Sequence, residues 1–183
     1  MQTRSLPTAV SSCLLLVALH TGLAATPIAE AEESESQSLT ALLPNGKEPL
    51  PGIIVGGQPT VEQLDEAARL GLKTVINLRT EGESDVDRDE VEARGMAYVA
   101  LPIGSADDLN AENAATLSEV LAEAERPVMV HCGSGNRVGA LFAVKAFHVD
   151  GLEAQEALEF GREAGMTRLE EAVSAHLAAQ EED

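Results

Sequence analysis

The segment Val128-Met129-Val130-His131-Cys132-Gly133-Ser134-Gly135-Asn136-Arg137-Val138-Gly139 sets a cysteine between an apolar, β-branched run and an apolar helix. Pro127 leads into the run, and Ala140-Leu141-Phe142-Ala143-Val144 carries the helix onward. A glycine-rich turn at this junction aims several backbone N–H groups at one point, and the positive end of the helix dipole reinforces them. The result is an anion cradle with a thiol at its base. The helix N-terminus and Arg137 both favour the thiolate over the thiol, so Cys132 reads as a nucleophile that forms a covalent intermediate with an anionic substrate. Gly133, Ser134, Gly135 and Asn136 supply the N–H groups. The planar fork of Arg137 suits a three-oxygen anion, either a phosphoryl group or the sulfonate-like end of thiosulfate.

A His-Cys pair, a glycine-containing loop, an arginine and then a helix resembles the signature loop of the cysteine-dependent tyrosine and dual-specificity phosphatases. From about Ile53 to Phe147 the chain is similar to a small bacterial branch of them, the beta-lactamase hydrolase-like phosphatase-like domain family. Besides the loop, the matching pieces are Ile54-Val55-Gly56-Gly57-Gln58-Pro59-Thr60, Thr74-Val75-Ile76-Asn77-Leu78-Arg79 and Tyr98-Val99-Ala100-Leu101-Pro102-Ile103. The resemblance implies a phosphatase-like fold and hydrolysis of phosphomonoesters, such as phosphotyrosine or small aryl phosphates, through a phosphocysteine. It also implies that His131 organises the loop by backbone hydrogen bonds, and that a general-acid aspartate comes from a loop after the third strand. Asp107 and Asp108 lie in that stretch, where a charge at a helix start is their alternative role.

One departure from the phosphatase signature bears on the chemistry. That signature has five residues between cysteine and arginine, whereas here only Gly133, Ser134, Gly135 and Asn136 intervene. Four is the spacing of the rhodanese-type sulfurtransferases, whose Cys-x-x-Gly-x-Arg loop puts a glycine where Gly135 stands. A shorter ring suits a sulfur atom carried on the thiolate better than a tetrahedral phosphoryl group. Val138 also lacks the hydroxyl that phosphatases carry after the arginine. Phosphoryl hydrolysis and sulfane-sulfur transfer from thiosulfate or a persulfide are therefore both open, with a non-enzymatic anion-binding module as the third reading.

The elements around the loop follow from pattern. Ile53-Ile54-Val55, Thr74 to Leu78, Tyr98 to Leu101 and Val128-Met129-Val130 are short apolar runs without alternation, separated by helical stretches. Such runs mark strands buried on both faces, hence a single α/β domain over 52–180 with a mainly parallel four-stranded sheet and helices on each side. Thr60 with Gln63 forms a capping box, Asn110 caps a further helix, and Thr167 with Glu170 forms a second box ahead of the last helix. An acidic stretch from Glu81 to Gly95 reads as a loop followed by a solvated helix. Arg79, ending the second strand, is a candidate to line the site because α/β sites gather at strand C-termini.

Composition bounds the rest. With 183 residues and only 2% aromatic, the chain makes one domain whose core is aliphatic. A net charge of −19 repels nucleic acid and anionic membranes, leaving the loop to attract a small anion or a phosphoprotein. Arg4 followed by Cys13-Leu14-Leu15-Leu16-Val17-Ala18-Leu19 and then small residues reads as a signal peptide over 1–31, which places a monomeric protein in the bacterial periplasm or outside, with no membrane attachment after cleavage. Residues 32–51 read as a disordered or loop-rich mature N-terminus and 181–183 as a frayed tail. His148 and His176 have no partners at metal-ligand spacing, so neither a metal nor another cofactor is expected.

Overall fold

The computed structural model describes residues 38–83 and 86–181. The expected signal peptide and the start of the expected disordered segment lie outside them, as do the last two residues of the acidic tail. Four parallel strands, β2 (Ile53–Gly56), β3 (Thr74–Asn77), β4 (Ala97–Ala100) and β5 (Val128–His131), are joined by an antiparallel edge strand, β1 (Lys47–Leu50), in the order β1-β2-β5-β3-β4. The helices are α1 (38–42), α2 (Val61–Arg69), α3 (Arg88–Glu92), α4 (Ala111–Glu123), α5 (Asn136–His148), α6 (Ala154–Glu163) and α7 (Glu170–Glu181).

The apolar runs become strands because both of their faces are covered. β2, β3 and β5 are buried at every position. Ile53, Val55, Ile76, Val128 and Val130 pack with α4 to α7 on one face, while Ile54, Val75 and Met129 pack with α1 to α3 on the other. Phe142 is the one aromatic among the largest fully buried side chains, so the core is built of branched aliphatics.

Two expectations are corrected. The sheet has five strands instead of four, and the extra one comes from the segment read as disordered or loop-rich. Lys47–Leu50 carries no apolar alternation to announce it, and Pro49 is tolerated because an edge strand leaves one side unpaired. Leu39 and Leu43, both buried, anchor the chain ahead of it. The second capping box also does not form. Thr167 gives its N–H and its hydroxyl to the Asn136 side-chain oxygen at 2.8 and 3.1 Å, and Glu170 instead pairs with Arg162 at 2.9 Å. A buried acceptor on α5 outcompetes a local cap. The Thr60 and Gln63 box and the Asn110 cap form as expected.

Register sets the place of the site. Gly56 and Asn77 both lie opposite His131, so β2, β5 and β3 end at one level with the β5–α5 turn between its neighbours. α5 then runs across the sheet, held tightly by the α6–α7 turn. A Cβ on Gly139 would stand 2.1 Å from the Met166 backbone nitrogen and 2.5 Å from the Gly161 carbonyl. Gly139→Ala is expected to cost at least about 1–3 kcal/mol, the usual price of overpacking against backbone. Urea unfolding checks it, and an unchanged midpoint would show that the α6–α7 turn gives way freely.

Candidate active site

Cys132 continues β5 by one hydrogen bond, its N–H reaching the Gly56 carbonyl at 3.3 Å, and the chain then turns into α5. Gly135 makes the turn possible. It sits at φ 89, in the left-handed region that an L side chain adopts at a cost, and serves as the N-cap of α5. In that conformation its N–H points back and donates to the Cys132 sulfur at 3.2 Å. The N–H groups of Asn136, Arg137 and Val138 open the helix and have no intrahelical acceptor. The sulfur thus lies at the positive end of α5 with donors around it, and the residue is 1% exposed.

Arg137 is fixed from its outer side. Its Nη1 donates to Glu83 at 2.9 Å and to the Ile103 carbonyl at 2.8 Å, and Nη2 reaches the other Glu83 oxygen at 3.3 Å. Burial disfavours the guanidinium charge, but the hydrogen bond to Glu83 and the nearby Cys132 outweigh it, and the Arg137 pKa is raised. A Cβ built on Gly133 would lie 3.9 Å from Nη2, so the fork stands against the loop. With its outer edge taken by Glu83, the arginine keeps Nε and the remaining Nη2 proton for an anion on the loop side. Hydrogen bonds from Arg137 and Thr80 push the Glu83 pKa down to about 2, outweighing a smaller opposing effect of desolvation. Sequence reasoning missed Glu83. It is one acid among many between Glu81 and Gly95, and its partner is 54 residues away.

The other expected residues divide. Asn136 contributes its backbone to the loop, but its side-chain oxygen faces away, accepting from Thr167 and Leu169 in the α6–α7 turn. Gly133 and Ser134 form the exposed rim, and the Ser134 carbonyl is held by the Asn45 side chain at 3.2 Å. The His131 ring is fully buried, with no well-aligned partner on either nitrogen among the described residues. Burial pushes its pKa down to about 4 against the Cys132 backbone, which favours the charged ring. It is a neutral wall of the site at ordinary pH. Asp108 braces its own loop, one carboxylate oxygen accepting from the N–H groups of Gly104 and Ser105 at 2.9 Å each, and these bonds lower its pKa. Asp107 is exposed. Arg79 hydrogen-bonds Gln58 across the strand ends. His148 and His176 do meet, Nε2 to Nε2 at 3.0 Å, but at the far end of α5 from Cys132.

A profile of the family described as beta-lactamase hydrolase-like protein, phosphatase-like domain, matches residues 50–148, more than half of the chain. The chain belongs to that family. A beta-lactamase hydrolase-like protein of Xylella fastidiosa is 29% identical over 113 residues, covering 58% of this chain and 26% of that protein. The chain therefore spans about a quarter of the length of the curated relatives it matches. Among solved structures, Tk-PTP in its active form is 26% identical with a TM-score of 0.58, over 75% of this chain and 98% of that one. The core catalytic domain of the PP-IP phosphatase SIW14 from S. cerevisiae is 18% identical with a TM-score of 0.54, over 76% and 88%. The fold is that of the cysteine phosphatases.

The Glu83 clamp carries a pH signature. Its carboxyl is held below the ordinary value of 4.5, so the pair stabilises the fold above that pH and loses its contribution as pH falls toward 2. Thermal melting of the wild type and of Glu83→Gln should show a gap that is constant near neutrality and closes in acid. A gap that does not change with pH would mean that the carboxylate charge does not hold Arg137.

Proposed function

We propose that this chain hydrolyses phosphomonoesters, small aryl phosphates and phosphotyrosine among them, through a phosphocysteine at Cys132. The observation that carries the reading is the Cys132 sulfur, hydrogen-bonded by the Gly135 N–H at the start of α5 with the Arg137 fork fixed against the same loop. Membership of a phosphatase-like domain family supports it.

In the first step the Cys132 thiolate attacks phosphorus and the bond from phosphorus to the leaving oxygen breaks, while that oxygen takes a proton. Arg137 and the loop N–H groups hold the phosphoryl oxygens where charge accumulates. Asp107 is the better candidate for the acid, because the Asp108 carboxylate is already committed as an acceptor and favours its ionised form. In the second step water attacks the phosphocysteine, releasing orthophosphate and the thiolate. Val138 is buried in the core and offers no hydroxyl here, so the Gly135 N–H and Arg137 must stabilise the departing thiolate. The apolar stretch from Cys13 to Leu19 supports action in the periplasm or outside.

Sulfane-sulfur transfer is the second reading, favoured by the four residues between Cys132 and Arg137. Purified protein assayed side by side with an aryl phosphate and with thiosulfate plus cyanide is expected to turn over the phosphate. Cys132→Ser should abolish turnover, and Arg137→Lys should lose about 10²-fold or more because an ammonium cannot reproduce the fork. Asp107→Asn should slow aryl phosphate turnover by about 10²–10⁴-fold if its carboxyl is the acid. Turnover of thiosulfate without turnover of phosphate would overturn the assignment.

A further inference from the structure

The loop has a cavity beside it. A space of about 340 Å³ adjoins the rim, lined among others by Asn45, Lys47, Ser134, Arg162, Thr167 and Arg168. Among the described residues, no carboxylate lines it. In a chain with 31 acidic and 12 basic residues, three cations around one small cavity stand out from the rest of the surface. Arg162 is matched by Glu170 at 2.9 Å, but neither Lys47 nor Arg168 forms a salt bridge among the described residues. Lys47 is turned to the same wall, its ammonium donating to the Arg162 carbonyl at 3.1 Å.

The cavity and the cysteine loop share one frame. Ser134 belongs to both, and its carbonyl is pinned by Asn45. On the other side, Asn136 inside the loop holds Thr167 of the cavity wall through two hydrogen bonds. A ligand reaching from one to the other would meet preorganised groups on both sides, which limits the ordering cost of binding. The size is at the low end for small-molecule sites and does not suit a protein surface. Lys47 and Arg168 bring charge that suits phosphate oxygens.

We propose that this cavity is a second anion subsite, which makes the preferred substrate a compact small molecule bearing more than one phosphate. One phosphate lies in the cysteine loop and another between Lys47, Arg162 and Arg168. The inference rests on the loop being a phosphoryl site, as argued above. It assigns Lys47 and Arg168 to specificity, with no part in the chemical step. The acidic remainder of the surface then sharpens the selection, since only a ligand that reaches both positive pockets gains from approaching it.

The test uses binding, so that it does not depend on turnover. Cys132→Ser protein is titrated by calorimetry with inositol hexakisphosphate, which presents phosphates in all directions around a small ring, and with orthophosphate. The hexakisphosphate is expected to bind at least about tenfold tighter, the worth of one further charge-assisted contact. Adding Lys47→Ala and Arg168→Ala should remove that margin while orthophosphate affinity stays within about twofold, the value expected when the cysteine loop is untouched. A control that removes the same charge elsewhere, Arg69→Ala with Lys73→Ala, should keep the margin. If the Lys47 and Arg168 double variant keeps the margin, or the control loses it equally, the subsite is refuted and only general attraction remains. Failure of the phosphatase reading is distinct, because it appears as absent aryl phosphate turnover by the wild type, whatever the titrations give.

Discussion

The hydrogen bond from the Gly135 N–H to the Cys132 sulfur is the interaction on which the site depends. It exists because Gly135 adopts a left-handed conformation between the end of β5 and the first turn of α5. That single backbone choice sets the sulfur beside the N-terminal, positive end of α5, where dipole and free N–H groups act together. An L side chain at this position would strain the turn, because the φ of 89 lies in the left-handed region even though a Cβ would meet the Gly56 backbone only at ordinary contact distance. The chemistry therefore rests on backbone geometry first and on side-chain identity second.

The rest of the domain holds that junction still. β5 is flanked by β2 and β3, and all three end at the same level, so the turn emerges between neighbours that cannot slide without breaking the ladder. α5 is buried along most of its length and meets the α6–α7 turn at Gly139, where the backbones are too close to admit a methyl group. Asn136 ties the same turn to the loop from within. Outside, Glu83 and the Ile103 carbonyl fix Arg137, one from the acidic loop after β3 and one from the strand-end loop after β4. Each strand end in this part of the sheet thus contributes one constraint to the cup.

The centre of the protein was legible from sequence because its signals are local. An apolar β-branched run, a cysteine, glycines, an arginine and an apolar helix follow each other without interruption, and the Thr60 and Asn110 caps declare their helices within four residues. What was not legible depends on distant partners. β1 has no hydrophobic alternation and is a strand only because β2 offers an edge. Glu83 looks like any solvated acid until the fold brings Arg137 to it. Thr167 carries a cap pattern, yet the buried oxygen of Asn136 claims its donors. His148 and His176 pair only because α5 and α7 pack, and Lys47 reaches Arg162 only because β1 lies beside α6.

In the proposed hydrolysis, this geometry is what would let a short loop serve a phosphoryl group. Arg137 offers its inner edge, the first-turn amides of α5 point the same way, and the Gly135 N–H stabilises sulfur as a leaving group in place of a hydroxyl at Val138. The proposed hydrolysis requires a phosphoryl group carried on Cys132 during turnover. The decisive measurement is rapid acid quench of the protein during turnover of an aryl phosphate, followed by peptide mass mapping. A phosphoryl group on the peptide containing Cys132, absent in Cys132→Ser, is the predicted result. No phosphoryl adduct at Cys132 during phosphate turnover, or a sulfur adduct formed there from thiosulfate in its place, would contradict the account.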